Sequence, residues 1–228
     1  MKPPTRAELI ESVTKLVLDE LARRGVTLTR ESPKRVPVGV SARHVHLSVE
    51  DLHRLFGPGH TLTRLRDISQ PGQFAAQEQV TLIGPKGTLE RVRVLGPCRR
   101  QTQVELAPSD ARRLGVDAPI RPSGRLDGTP GITLAGPYGT VELQQGVIIS
   151  ERHIHMTPAD AAAFGVEDGQ EVRVKVGGPR GGIMERVFIR VRDDFALEMH
   201  IDTDDANAFG VTTGDRLEIL WDKERSER

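Results

Sequence analysis

One cysteine, Cys98, in 228 residues leaves no partner for an intrachain disulfide. That excludes the small secreted domains that depend on disulfide staples. Neither sign of charge is in excess, with Lys+Arg and Asp+Glu both at 32, so no global field draws the chain to nucleic acid or to a membrane surface. No apolar run approaches the roughly 20 residues of a membrane span. Charges recur through the first residues, where a signal peptide needs an unbroken apolar core. A cytosolic protein that binds neither nucleic acid nor membrane is therefore expected. Aromatics are also scarce, with six Phe, one Trp and one Tyr. Glycine and proline are plentiful instead, at 23 and 15, as expected of many short strands and turns rather than of helices alone. The length suits one large or two small domains.

Histidine is concentrated. Four of the seven fall in two matching stretches, Ser41-Ala-Arg43-His44-Val-His46-Leu-Ser and Ser150-Glu-Arg152-His153-Ile-His155-Met-Thr, offset by 109 positions (44 to 153). In a strand, residues i and i+2 share a face, so each His-x-His aims two imidazoles into one space. A lone His-x-His more often faces water or a core partner. Repetition with its flanking Arg preserved favours a metal site, and imidazole suits Zn, Cu, Fe and Ni.

Residues 5 to 24 read as an amphipathic helix. Leu9, Ile10, Val13, Leu16, Val17 and Leu21 recur at spacings of three and four, and Gly25 is a stop. Thr27 to Arg35 is a polar linker. Such a helix needs a surface for its apolar stripe, either its own domain or a partner. From Val36 onward strands alternate with short helices, at 49–56, 107–115 (capped by Ser109 or Asp110), 157–165 and 204–210. Residues 61–79 show no regular pattern.

A second correspondence, at an offset of 95, aligns Val104-Glu105-Leu106 and the following Asp110-Ala111…Gly115-Val116 with Met199-His200-Ile201 and Asp205-Ala206…Gly210-Val211. The offset shrinks because the first half carries extra residues around 61–79. Glu105 and His200 thus hold one repeat position at strand ends. Two parallel ligand sets result: His44, His46 and Glu105, and His153, His155 and His200. Three N/O ligands with one position left open are the pattern of a catalytic zinc, whereas a structural zinc would close with cysteines. His53 and His60 fall outside the repeat. Arg99 is suited to bidentate capture of phosphate or carboxylate, but pattern alone assigns it no role. Cys98 reads as buried and inert rather than as a nucleophile.

These three motifs, in this order, resemble the PduL-type phosphotransacylases, the phosphate propanoyltransferase family. The likeness covers roughly residues 36 to 221. It implies a mainly β fold of two duplicated β-barrel domains with short capping helices, preceded by the N-terminal amphipathic helix. The divisions are 1–35 for helix and linker, 36–125 for the first barrel and 126–228 for the second, with strands open to exchange between barrels. The family transfers a short acyl group, propionyl or acetyl, between coenzyme A and inorganic phosphate. The resemblance implies two zinc ions on the two ligand sets, Arg99 as the phosphate-binding and catalytic arginine, and coenzyme A contacts at Val40, Ser41, Ala42, Lys86, Arg93 and Asn207. It further implies a homo-oligomer. The N-terminal segment is similar to the peptides that carry family members into bacterial microcompartments, where shell or cargo proteins would be its partners. A dinuclear zinc hydrolase of thioesters or phosphoesters, and a non-catalytic barrel module, are the competing expectations.

Overall fold

The computed structural model describes residues 6–24 and 34–220, which fall into two compact units divided between Pro33 and Lys34. In the first unit one helix, α1 (Arg6–Arg23), leaves Ile10, Val13, Leu16 and Val17 exposed. The expected stop at Gly25 and the linker up to residue 33 lie outside the described residues, as does Trp221.

The second unit is mainly β. Its elements are β1 (Arg35–Ser41), β2 (His44–His46), α2 (Val49–Phe56), β3 (Arg64–Asp67), β4 (Phe74–Gly84), β5 (Gly87–Gly96), β6 (Gln103–Glu105), α3 (Pro108–Leu114) and β7 (Ile120–Arg121). There follow β8 (Ile132–Ala135), β9 (Thr140–Leu143), β10 (Val147–Ser150), β11 (His153–Met156), α4 (Pro158–Phe164), β12 (Glu171–Val176), β13 (Gly182–Val191), β14 (Glu198–Asp202), α5 (Thr203–Phe209) and β15 (Arg216–Leu220). Six strands close a barrel in the order β1-β14-β11-β13-β12-β15. The other nine form a curled sheet, β7-β10-β6-β2-β5-β4-β8-β9, with β3 on β4. Each has its own apolar core. Val38, Ile154, Met156, Met184, Ile189 and Met199 fill the barrel, while Val45, Leu47, Leu82, Val94, Val104 and Leu134 fill the hollow of the sheet. A fully buried aliphatic side chain of this kind contributes about 1.5–3 kcal/mol.

The chain crosses between barrel and sheet at each histidine motif. Val36 to His46 is not one strand: it breaks at Ala42-Arg43, with β1 in the barrel and β2 in the sheet. Val147 to His155 breaks at Glu151-Arg152, with β10 in the sheet and β11 in the barrel. The arginine at each break is anchored. Arg43 Nη1 donates to Asp110 Oδ1 (2.8 Å), and Arg152 donates from Nε and Nη2 to Asp205 (2.8 and 2.6 Å). Asp110 and Asp205 are the aspartates of the Asp-Ala-x-x-x-Gly-Val motif, so that motif also pins the crossing.

The glycine of the motif ends its helix. Gly115, Gly165 and Gly210 adopt φ of 74°, 66° and 64° after α3, α4 and α5. This left-handed turn is open to glycine and costly for other residues. The following valine N–H then returns to the helix: Val116 to Ala111, Val166 to Ala161 and Val211 to Ala206.

Two expectations are corrected here. The cap of α3 is neither Ser109 nor Asp110. The N-cap is Ala107 without a side-chain bond, Pro108 presets the first turn, and Ser109 instead donates from its N–H and hydroxyl to Asp204 (2.7 and 2.8 Å). Residues 61–79 contain β3 and the start of β4. All four residues of β3 are exposed, so no alternation marked it.

Candidate metal centre

The two His-x-His strands meet their partners in the same register. On β2 and β6, His44 faces Glu105 and His46 faces Gln103; on β11 and β14, His153 faces His200 and His155 faces Glu198. Antiparallel neighbours directly opposite are within reach on one face. Val45 and Ile154 point into the two cores at 0% exposure, which turns the flanking imidazoles to the opposite side. The result is two clusters. One donor atom from each of His44, His46 and Glu105 lies within 4.8 Å of the others, and the same holds for His153, His155 and His200. Either group could hold a metal ion.

The donors fit that purpose. The Nδ1 atoms of His44 and His153 lie 2.9 and 2.7 Å from the carbonyls of Ala42 and Glu151. A carbonyl only accepts, so Nδ1 is the donor, and in the neutral ring Nε2 keeps its lone pair. Metal-binding histidines are usually oriented this way. His200 Nε2 is buried and makes no hydrogen bond among the described residues, although Glu198 Oε2 is 3.3 Å away. A buried polar atom left unpaired costs about 1–3 kcal/mol, which an ion bound by the three histidines would offset.

Electrostatics keeps most of these rings uncharged. Burial, with His200 and Arg190 next, holds His153 well below the usual histidine range; burial and His200 push His155 down to about 3; burial lowers His200. His46 is held well below its ordinary value by burial and by His44. Burial also opposes charge on His44, but Glu105, 3.6 Å away, outweighs it and raises that ring. Glu105 itself stays well below the carboxylate range: burial works against its charge, and His44, His46 and Arg99 outweigh burial. Neutral imidazoles and a carboxylate are the protonation states a metal requires. One consequence is testable without metal. Folded His153 and His155 take up protons less readily than in the unfolded chain, so the metal-free protein should lose stability as pH falls below about 6.5, down toward 3. Denaturant melts between pH 7 and 4 measure this; a flat profile would contradict it.

Both clusters open on one cavity of about 510 Å3, and Arg99, Ser41 and Ala42 line it with them. Val40, Lys86, Arg93 and Asn207 are not in its wall. Arg93 Nη1 donates to the carbonyls of Ala76 and Gln77, Val40 N–H to the Thr213 hydroxyl, the Lys86 stem packs over Gly115, and Asn207 lies on α5.

Three residues that sequence reasoning passed over belong to this site. The first is Gln103, 1% exposed, which donates from Nε2 to Glu105 Oε1 (2.5 Å) and to the Ser123 hydroxyl (2.8 Å), while its Oε1 accepts from Gly124 N–H. The second is Ser123, which donates to Glu105 Oε1 (3.2 Å) and accepts from Arg99 Nη1 (3.0 Å). The carboxylate and the arginine are thus tied to one serine. The third is Glu198, which stands at the Gln103 position of the second repeat and lies so close to Gly39 that a Cβ there would meet its carboxyl carbon at 2.7 Å. The repeat could have pointed to Gln103 and Glu198, because each stands two residues before a ligand candidate.

Barrel, curled sheet and shared cavity define a β-rich protein with paired metal-ligand clusters at the crossing between its two halves. A family profile described as phosphate propanoyltransferase matches residues 37–212. The chain is 52% identical over 201 residues to the phosphate propanoyltransferase of Rhodobacter capsulatus, covering 88% of this chain and 94% of the relative. To that of Thermotoga maritima it is 56% identical over 194 residues (85% and 92%), and to that of Salmonella typhimurium 50% over 205 residues (90% and 92%). The chain belongs to the phosphate propanoyltransferase family.

Proposed function

We propose that this protein transfers a short acyl group, propionyl or acetyl, between coenzyme A and inorganic phosphate, with one zinc on His44, His46 and Glu105 and a second on His153, His155 and His200. The observation that carries the reading is that both ligand clusters and Arg99 face one cavity. Bound there, the ions would supply Lewis-acid polarisation of the thioester carbonyl and stabilisation of anionic oxygen and sulfur.

The chain's own groups supply the rest. Arg99 carries five N–H donors in a planar fork. Among the described residues its side chain bonds only to Ser123, so the fork stays available for a phosphate, which it would hold bidentately. Held there, one phosphate oxygen faces the thioester carbon. Its bond to that carbon forms as the carbon–sulfur bond breaks, and sulfur departs as thiolate. Positioning turns a bimolecular attack into a local one. Gln103 and Ser123 keep Glu105 and Arg99 in place for this. Ser41 and Ala42 are proposed contacts for the end of coenzyme A that enters the cavity, and Val40, Lys86, Arg93 and Asn207 contacts for the part outside it.

No covalent acyl-enzyme is invoked. Cys98 lines the cavity, but burial pushes its thiol up, away from the thiolate that attack requires. Cys98→Ala should therefore leave transfer largely intact. A loss of several orders of magnitude with fold and zinc retained would require an acyl-enzyme instead.

The division into 1–35, 36–125 and 126–228 is kept, with strands exchanged between the curled sheet and the barrel. It is supported by β1 lying among β11 to β15, and by β8 to β10 lying among β2 to β7. A homo-oligomeric, cytoplasmic enzyme, carried into a microcompartment by residues 1–35, completes the reading; no described helix is long and apolar enough to cross a membrane.

The deciding experiment is thiol release from acetyl-CoA and propionyl-CoA, with and without phosphate, on protein whose zinc has been counted. Phosphate-dependent release with two zinc per chain is the expected result. Release without phosphate would make the protein a hydrolase, and no release with metal bound would make it a binding module.

A further inference from the structure

The extra residues of the first half, which shorten the repeat offset from 109 to 95, have no part in the chemistry above. Their middle, residues 68–73 between β3 and β4, reaches the barrel. Gln70, only 3% exposed, donates from Nε2 to the Ala196 carbonyl (3.1 Å) and accepts at Oε1 from the Ala196 N–H (3.2 Å). Its amide thus pairs with that peptide as a neighbouring strand would. Beside it, the Ser69 hydroxyl donates to Glu198 Oε2. The residue before Ala196 is Phe195. Its ring stacks on His155, with centroids 3.9 Å apart and planes at 17°, and the Arg192 guanidinium lies 5.0 Å from the Phe195 ring centre.

His155 differs from the first histidine of each His-x-His strand. His44 and His153 are oriented by hydrogen bonds to the Ala42 and Glu151 carbonyls. Among the described residues the Nδ1 of His155 has no hydrogen-bond partner. A ligand histidine normally takes its direction from such a bond. We infer that residues 68–73 form a strap that replaces it: Gln70 is a positioning residue that fixes the backbone at Ala196, holds Phe195 flat on His155, and so aims His155 within the three-histidine cluster. The first half of the chain thereby orients a ligand of the second. Only the metal arm of the test rests on the two-zinc reading.

The test uses the full chain with Gln70→Ala and Phe195→Leu. The first readout is metal-free. Stacking on Phe195 should shift the His155 ring protons upfield in the wild type, and in Gln70→Ala they should move toward their positions in Phe195→Leu. The second is zinc affinity by chelator competition. In a Glu105→Ala background, where only the three-histidine cluster remains, Gln70→Ala should weaken zinc by about 10–100-fold. In a His153→Ala background, where the other cluster remains, it should leave affinity unchanged. If Gln70→Ala does not fold, Gln70→Glu keeps the acceptor for Ala196 N–H and loses the donor, and should give smaller shifts in the same direction. Unmoved His155 resonances, or equal zinc losses in both backgrounds, would overturn the strap. A wild type that binds no zinc but shows the resonance shift would remove the two-zinc reading and leave the strap standing.

Discussion

On the proposed two-zinc reading, stripping the metal should lower phosphate-dependent thiol release by more than about 1,000-fold, and zinc should restore it. Lewis-acid stabilisation of the reacting oxygens is worth several kcal/mol, and about 4 kcal/mol corresponds to three powers of ten. Without ions the cavity would keep Arg99, the proposed phosphate-binding group, which would polarise the thioester less strongly. The same scale of loss is expected for Glu105→Ala and for His153→Ala, because the two clusters open on one cavity. The variants should differ from chelation in one respect: excess zinc is expected to rescue the stripped wild type but not the variants. Activity within about tenfold of wild type in a folded His153→Ala protein that has lost one zinc would remove the second cluster from the chemistry.

Replacing Arg99 by Ala should cost about 100- to 1,000-fold, the scale seen when one preorganised charge-stabilising donor is removed. Burial lowers the pKa of Arg99 and Glu105 partly offsets this, yet an arginine stays charged across the working range. Its loss would remove the proposed phosphate fork and leave Ser123 without that donor. The KM for phosphate should rise and kcat should fall together, because the same group binds and orients. Arg99→Lys keeps the charge but not the planar fork, and should recover only part of the rate. Full recovery with lysine would show that charge alone suffices. An unchanged phosphate KM in Arg99→Ala would move phosphate elsewhere in the cavity.

Several features were readable before any fold was known, and each for a physical reason. The His-x-His spacing declares two side chains on one strand face wherever the strand lies. The Asp-Ala-x-x-x-Gly-Val copies declare three helix ends, since the glycine marks the left-handed turn that closes each one. The match of Glu105 with His200 came from repeat position alone, and the structure places each of them directly opposite the first histidine of its pair. Other features left no local trace. The strand β3 is exposed along its length and has no alternation to read. The bonds from Ser109 to Asp204 and from Gln70 to Ala196 join residues 95 and 126 positions apart. Ser109 and Asp110 lie inside α3 rather than capping it, and their side chains are engaged by distant Asp204 and Arg43.

What this sequence determined by itself was therefore a set of local geometries: which histidines share a face, where helices stop, which residues correspond between halves, and which family the chain resembles. Only the tertiary structure decided which strands close the barrel and which curl beside it. It also placed the two histidine motifs at the chain's crossings, anchored there by Arg43 on Asp110 and Arg152 on Asp205. The reason is one of range. Strand period and turn conformation depend on neighbours a few residues away, whereas the pairing of His44 with Glu105, of His153 with His200 and of Val38 with Met199 joins residues far apart in the chain, which no local pattern specifies.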